Sequence, residues 1–120
     1  MAEHNETGHL GENLAANYLL KKGYKILEHN FVWEKAEVDI IAEKDNLLVV
    51  VEVKTRASEL FETATELVSK NQIKQIIAAT EGYIHLKAID LETCFDIIAV
   101  ILDERPPKIE HITDAFYPTL

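Results

Sequence analysis

The sequence predicts an α/β domain in which helices cover the faces of a mixed β-sheet of four to five strands. Two apolar runs, residues 47–54 and 94–102, have the composition and length of buried strands. Residues 7–22 and 69–88 instead repeat apolar side chains at the spacing of an amphipathic helix. Because the segments follow in the order helix, three strands, helix, and one or two strands, we expect a sheet with helices packed on its faces.

Length and composition fit one domain over residues 1–120, with the 48% hydrophobic and 28% charged residues of an ordinary globular protein. No apolar run reaches the roughly 18 residues of a membrane helix, and the N-terminus lacks the features of a signal peptide. The single cysteine, Cys94, suits a reducing compartment, so a cytoplasmic protein that does not enter the membrane is expected. A formal charge of −9 argues against coating nucleic acid by bulk charge but is compatible with a locally basic groove.

The first helix is predicted over residues 7–22, and Gly23 is its expected end. Glycine is common just after a helix, and the two lysines before it complement the helix dipole. The apolar side chains at helical spacing are Leu10, Leu14, Ala15, Tyr18 and Leu19. Glu12 shares the face of Ala15 and Leu19, which would point it along this sheet-facing stripe. From the residues alone, however, a solvated acid in the first turn that complements the helix dipole is the preferred interpretation.

Three strands are predicted next, over residues 24–33, 36–43 and 47–54. Asp45 and Asn46, which separate the second strand from the third, have the chemistry of a two-residue hairpin turn. These two strands are therefore expected to pair in an antiparallel hairpin.

The second half of the chain begins with residues 55–67, predicted as a loop with short helical pieces. Ser69 and Gln72 have the spacing of a capping box at the start of the helix that follows. One face of this helix is formed by Ile73, Ile76, Ile77, Thr80, Tyr83 and Ile84. Two prolines then separate the strand at 94–102 from a short final strand at 108–114.

The predicted hairpin brings charged side chains together inside an apolar run. In a regular hairpin around this turn, Asp39 falls opposite Glu52. Glu37 then falls opposite Lys54, and the alternation of a strand puts all four side chains on one face. The face assignment depends on this register, because a slip of one residue would break it.

Two buried carboxylates on neighbouring strands destabilise a fold unless their charge is neutralised. A divalent cation removes the conflict, and hard oxygen ligands suit Mg²⁺ or Mn²⁺. Lys54 would then lie near the metal, where it could orient water or neutralise charge developing on a phosphate. An ordinary salt bridge, such as Glu52 with Lys54 or Lys35, is the alternative that the residues themselves leave open.

At these residues the chain resembles the YraN-like family of small bacterial proteins. That family is similar in turn to the PD-(D/E)xK nuclease superfamily, in the branch that includes archaeal Holliday-junction resolvases. The resemblance extends from Gly8 to Phe116. It is carried by Gly8, Gly11, Glu12 and Ala15, by Glu37-Val38-Asp39, by Glu52-Val53-Lys54-Thr55-Arg56, by Lys70 and by Phe95-Asp96.

The resemblance implies a restriction-endonuclease-like fold and a Mg²⁺- or Mn²⁺-dependent endonuclease that hydrolyses phosphodiester bonds in structured or branched DNA. Asp39 and Glu52 match the metal-binding acids, and the backbone carbonyl of Val53 is a further ligand that it implies. Lys54 matches the catalytic lysine. Glu12 matches a helix acid that completes the site in resolvase-like members.

The resemblance also implies contacts with the nucleic-acid partner. Thr55 and Arg56 follow the catalytic strand, and Lys70 starts a helix whose amides favour anions, so all three are expected to contact substrate phosphate. Since resolvase-like relatives act as dimers on two-fold substrates, the resemblance allows a homodimer. Ala36 and Cys94 replace the usual glycine and arginine of the family, and the chain is acidic, so a catalytically inactive nuclease-fold module that binds nucleic acid or a protein partner is the alternative.

Three residues outside this set are assigned structural roles. Asp96 lies in an apolar strand and is predicted to pair with a cation, with a supporting role at the metal site as its alternative. Cys94 is predicted to be an inert core thiol. Trp33 is predicted to be a core residue rather than a platform for base stacking. The five histidines have no paired metal-binding spacing and are predicted to be surface or satisfied core residues.

Overall fold

The computed structural model describes residues 6–58 and 64–118. The strands are β1 (Lys25–Trp33), β2 (Ala36–Lys44), β3 (Leu47–Arg56), β4 (Glu92–Ile101) and β5 (Lys108–Phe116), and the helices are α1 (Glu6–Lys21), α2 (Ala64–Leu67) and α3 (Lys70–Lys87). The five strands form one sheet in the order β1-β2-β3-β4-β5. Only β3 and β4 pair in parallel, and the other neighbours are antiparallel. The predicted α/β fold with a mixed sheet is thereby confirmed, and it is consistent with a nuclease-like architecture.

Apolar clusters cover both faces of the sheet, which explains why β3 is almost continuously apolar. The α3-side cluster includes Val38, Val50, Ile76, Ala79 and Tyr83. The α1-side cluster includes Ala15, Leu19, Ile40, Val49 and Val51. Successive valines of β3 therefore alternate between two hydrophobic layers. None of the helices in the part of the chain that the structure describes is long and apolar enough to cross a membrane.

The β2–β3 hairpin has the predicted turn and register. Asp45 and Asn46 have φ angles of 53° and 63°, the pair of positive values that a type I′ turn requires. Lys44 lies opposite Leu47, and the regular pairing continues as far as Ile40 opposite Val51.

The ends of the helices follow their sequence signals. Gly23, with a φ of 92°, follows α1. At the start of α3, the Gln72 backbone N–H donates to Ser69 Oγ at 3.1 Å, as a capping box requires. Beyond β3, which continues to Arg56, the predicted loop contains the short helix α2, and residues 59–63 lie outside the described residues. The final strand is longer than predicted, since β5 runs from Lys108 to Phe116.

The predicted apolar stripe of α1 is wrong at its first residue, because Leu10 is 47% exposed. Four residues advance a helix by slightly more than one turn, so a row at this spacing drifts by about 40° at each step. The buried face is centred on Ala15 and Leu19, and Leu10 has rotated away from it.

Asp96 has the structural role that the sequence predicts, with a histidine as its partner. Its side chain is buried, and His111 Nε2 lies 2.7 Å from Asp96 Oδ2. The Asp114 backbone N–H donates to the other carboxylate oxygen at 3.1 Å. Tyr18 Oη lies 3.1 Å from His111 Nδ1, so the network joins α1 to the two last strands. His111 is thus a satisfied core histidine.

Cys94 has the character of an inert thiol. Burial is the largest cause that raises the pKa of its thiol to about 11, and a thiol that stays protonated is a poor nucleophile.

Candidate metal centre

The candidate site lies where β2 and β3 stop pairing, next to Ile40 and Val51, a place that we call the fork. Beyond Ile40 and Val51 the regular ladder ends, and the Val53 backbone N–H instead donates to Asp39 Oδ2 at 2.8 Å. Val38 packs in the α3-side cluster whereas Ile40 packs in the α1-side cluster, although alternating residues of a regular strand share one face. The alternation therefore breaks at Asp39, whose carboxylate takes the place of a backbone acceptor between the strands.

Glu52 projects from β3 toward the start of α3. Its side chain is 9% exposed, and its Oε2 accepts a hydrogen bond from Gln72 Nε2 at 2.7 Å. Its other oxygen, Oε1, is buried and has no hydrogen-bond partner among the residues that the structure describes. A buried carboxylate oxygen without a partner is costly, so this atom is suited to hold either a proton or a ligand.

Lys54 is the third residue of the site, after Asp39 and Glu52. It follows Glu52 by two residues on β3, so the two side chains share one face of the strand. Its Nζ lies 3.5 Å from Glu52 Oε2 and donates to Gln72 Oε1 at 3.4 Å. The Lys54 side chain is 17% exposed, so it is less deeply buried than Glu52. The structure therefore brings together Asp39, Glu52 and Lys54, although Asp39 and Glu52 are not a pair of the ladder, which ends one position earlier at Ile40 and Val51.

Gln72 was not predicted to belong to this site. The capping-box interpretation is only half correct, because Ser69 caps the Gln72 N–H while the Gln72 carboxamide bonds to Glu52 and Lys54. Hydrogen bonds to groups that can carry charge are stronger than those between neutral groups, which explains why the side chain turns away from the cap. The sequence shows a glutamine in the first turn of the helix. Its contacts with Glu52 and Lys54 become visible only when α3 is packed against β3.

Glu12 reaches the site from α1, as the resemblance implied, whereas the residues alone favoured a solvated acid in the first turn. Carboxylate oxygens of Glu12, Glu37 and Asp39 lie within 4.8 Å of one another. The prediction that Glu37 would face Lys54 across the ladder is wrong, since the pairing ends at Ile40. Glu37 stays paired with Val32 of β1. It is exposed, and its carboxylate lies near Glu12 of α1.

Asn30 of β1 was not predicted to belong to the site, and it holds Glu12 and Glu37 in place. Its Nδ2 donates to Glu12 Oε1 at 3.1 Å and to Glu37 Oε2 at 2.8 Å. Asn30 has a φ of 50°, a left-handed conformation that asparagine tolerates better than most residues. This local distortion lies at the break in pairing between β1 and β2, where no partner is assigned opposite Asp39.

Gly11 explains how α1 comes close enough to deliver Glu12. A Cβ added at Gly11 would lie 1.8 Å from Thr55 Oγ1, so only glycine permits this approach of the helix to β3. Thr55 is consequently part of the α1–β3 contact.

The other predicted contact residues surround the same end of the sheet. Arg56 ends β3, and its Nη1 donates to the Thr55 carbonyl oxygen at 3.0 Å. Lys70 is the exposed first residue of α3, two residues before Gln72. For Val53 the structure shows the N–H bonded to Asp39, and the role of its carbonyl oxygen as a ligand stays a prediction.

Burial governs the protonation of the two central acids. Burial, followed by the nearby Asp39 carboxylate, raises the pKa of Glu52 to about 8, although Lys54 opposes the shift. Burial also raises the pKa of Asp39 to about 6, against the hydrogen bond from the Val53 N–H and with a further contribution from Glu12. Without a cation near neutral pH, Glu52 therefore holds the proton and Asp39 is ionised.

Comparison with known proteins places the chain in a family. The profile of the uncharacterised protein family UPF0102 matches residues 11–100. A UPF0102 protein of Flavobacterium psychrophilum is 50% identical over 117 residues, with 98% of each chain covered. One from Flavobacterium johnsoniae is 50% identical over 121 residues, again covering 98% of each, and one from Phocaeicola vulgatus is 46% identical over 120 residues, covering 100% of this chain and 99% of the relative. These matches confirm the YraN-like resemblance, and the chain belongs to the UPF0102 family.

Proposed function

We propose that this chain is a Mg²⁺- or Mn²⁺-dependent endonuclease of the PD-(D/E)xK type that hydrolyses phosphodiester bonds in structured or branched DNA. The observation that carries the proposal is the buried Asp39–Glu52 pair at the fork between β2 and β3, with Lys54 Nζ 3.5 Å from Glu52. Two buried acids on neighbouring strands destabilise a fold unless a bound cation or a proton neutralises them. This arrangement favours a catalytic site over an incidental salt bridge.

The donor set fits a hard divalent cation. Glu52 Oε1 is buried and has no partner among the described residues, and a metal ion would satisfy it. Asp39 and Glu52 would hold the ion together with the Val53 carbonyl oxygen, an all-oxygen set of the kind that Mg²⁺ and Mn²⁺ prefer. Glu12 and Glu37 bring further carboxylate oxygens within 4.8 Å of the Asp39 carboxylate, which adds negative potential that attracts cations.

The residues divide the catalytic work between charge and position. When bound, the ion would supply Lewis acidity toward the phosphate and lower the pKa of water. Lys54 stabilises negative charge that develops on the phosphate oxygens. Gln72 contacts both Glu52 and Lys54, so it sets the direction of the carboxylate and of the ammonium group from one fixed point on α3.

DNA is the partner that the surroundings favour. Arg56 and Lys70 place cationic side chains at the end of β3 and at the start of α3, and Thr55 lies beside Arg56. The first amides of α3, an 18-residue helix, add partial positive charge where a phosphate could bind. These cations, together with a metal ion that neutralises the acids of the site, would let a chain of net charge −9 approach a polyanion.

The test is metal-dependent cleavage of a panel of linear, flapped and four-way-junction DNAs. Lys54→Ala should lower the cleavage rate about 100-fold or more, since it removes a charge that acts on the transition state. Lys87→Ala removes an exposed lysine from the far end of α3 and should leave the rate unchanged. Cleavage that survives Lys54→Ala, or that proceeds equally in EDTA, would contradict the proposal.

The inactive module is the second candidate, and the charge of −9 favours it. Such a protein would bind DNA or a protein partner without turnover. It predicts that branched DNA stays intact with Mg²⁺ and Mn²⁺, while any binding measured by fluorescence anisotropy is the same for wild type and Lys54→Ala.

A further inference from the structure

A groove of about 440 Å³ lies between the β1–β2 turn and α3. Its lining consists of Trp33, Glu34, Lys35, Ala36, Gln75 and Ala78. The volume is that of a site for a small organic group. Its walls combine an indole and two alanine methyl groups with an amide, an ammonium group and a carboxylate, so apolar and polar groups both line the groove.

The groove lies on the α3 side of the sheet, the side from which Gln72 contacts Glu52 and Lys54. On the sheet side, Ala36 of the lining packs in the α3-side cluster and lies three residues before Asp39 on β2. On the helix side, Gln75 follows Gln72 by three residues, which is about 4.5 Å along the helix axis. A nucleotide whose phosphate lies at the fork could therefore place its base in the groove.

Trp33 forms a fixed wall of this groove. A Cβ added at Gly82 would lie 2.4 Å from the Trp33 ring, so the indole packs directly on the backbone of α3. Trp33 is partly buried and packs against the α3-side cluster, so it has the predicted core contacts on one side only. The same residue lines the groove, so its aromatic surface is held rigidly beside an open space.

We propose that this groove binds an unpaired nucleobase of the substrate strand next to the scissile phosphate. The inference rests on the proposed endonuclease function and adds a substrate class, DNA with an unpaired base beside the cut. Trp33 supplies the aromatic contact that favours any base. Gln75 offers an amide donor and acceptor to the edge of a base, and Lys35 offers a cation to the neighbouring phosphate. Glu34 carries the opposite charge on the same rim and disfavours a phosphate within the groove itself.

The sole tryptophan of the chain makes the groove directly observable. Trp33 fluorescence of the Lys54→Ala protein, with Ca²⁺ present and turnover suppressed, is titrated with single-stranded pentadeoxyadenylate. A matched pentamer with the same phosphates but abasic sugars serves as the comparison. The base-bearing strand should change the fluorescence saturably and bind about tenfold more tightly than the abasic one, because stacking is lost without bases.

Groove variants connect the signal to this location. Ala78→Leu fills the groove from α3, and it should weaken binding of the base-bearing strand about tenfold while leaving the abasic strand unaffected. Gln75→Ala should weaken binding in the same direction. Glu81→Leu changes an exposed position of α3 outside the lining and should behave as the parent protein.

The results separate this inference from the proposed function. Equal affinity for both strands, an unchanged affinity in Ala78→Leu, or no fluorescence response to either strand would overturn the nucleobase site. Cleavage of branched DNA that is indifferent to abasic sugars and to Ala78→Leu would retain the endonuclease and reject the groove. Base-dependent binding without cleavage would retain the groove and reject the endonuclease.

Discussion

At the scale of single residues, the fork is defined by what burial does to two carboxyl groups. Asp39 is 8% exposed and Glu52 is 7% exposed, so both acids resist ionisation. The Val53 N–H, which donates to Asp39, favours the charged form of that residue. Glu52 receives no backbone donor in the described contacts and keeps its proton to higher pH. Two adjacent acids are thereby given different protonation states by their hydrogen bonds.

This difference predicts a pH-dependent stability of the metal-free protein. The Glu52 pKa of about 8 lies above its ordinary value of 4.5, so the folded state holds a proton that the unfolded chain loses. The contribution to stability is complete below pH 4.5 and is lost as the pH rises through 8. Between pH 5 and pH 8 the loss should be on the order of 3 kcal/mol, measured by urea unfolding in EDTA.

Glu52→Gln should remove most of this pH dependence, because a neutral amide cannot lose a proton. The variant should therefore be at least as stable as wild type at pH 8 without metal. Glu81→Gln, at an exposed position of α3, is the matched control and should follow the wild-type curve. Unfolding of Glu52→Gln at every pH and metal concentration would instead support an ordinary buried salt bridge with Lys54.

At the scale of secondary structure, α1 and α3 deliver side chains to the fork from opposite faces of the sheet. In each helix, one local contact fixes the position of the residue that reaches the site. Gly11 brings α1 against Thr55 of β3, and Ser69 fixes the first turn of α3 so that Gln72 faces Glu52. Helix position and site geometry are therefore coupled, and small changes at these contacts should act on both.

Gly11→Ala should destabilise the protein although alanine favours a helix. The intrinsic gain is about 1 kcal/mol, whereas inserting a methyl group into a packed contact typically costs about 1–3 kcal/mol, and here the overlap with Thr55 Oγ1 is severe. Chemical denaturation should show the net loss. Thr55→Ala in the same chain should restore part of it, and Asn17→Ala on the exposed face of α1 should not destabilise. Additive effects of the Gly11 and Thr55 changes would contradict the proposed contact.

Gln72→Ala should impair catalysis more than folding. The N-cap bond uses the Gln72 backbone N–H, so the substitution leaves the cap intact and removes only the contacts with Glu52 and Lys54. We expect the cleavage rate to fall about tenfold, with a small change in the free energy of unfolding. Asn71→Ala, an exposed neighbour, is the control for rate and stability. A Gln72→Ala enzyme with wild-type turnover would show that the bridging amide has no positioning role.

At the scale of the whole molecule, features that depend on neighbouring residues could be predicted from the sequence. Features that depend on how the helices pack on the sheet could not. Asp45 and Asn46 set the hairpin register as far as Ile40 opposite Val51, and this is enough to bring the next residues, Asp39 and Glu52, close together. Asn30 and Gln72 could not be assigned in this way, because their partners lie 18 or 20 residues away in Glu12 and Glu52.

The errors have the same physical origin. A regular ladder would put Glu37 opposite Lys54, but the pairing of β2 with β3 ends at Ile40 and Val51. A four-residue repeat would put Leu10 in the core, but such a row drifts around the helix and Leu10 is exposed. Hydrophobic periodicity predicts which segments form elements, but it does not say where two paired strands separate.

Cation binding should convert the fork from a source of instability into a source of stability. A ligand that binds only the folded state stabilises it by about 2.7 kcal/mol at 100 times its Kd, so Mn²⁺ should raise Tm. Because the ion displaces the proton of Glu52, whose pKa is about 8, affinity should be greater at pH 8 than at pH 6. Isothermal titration should show this pH dependence in wild type and strongly weakened binding in Asp39→Asn. Asp103→Asn, at an exposed position after β4, should bind as wild type does, and equal binding by wild type and Asp39→Asn would exclude the metal centre.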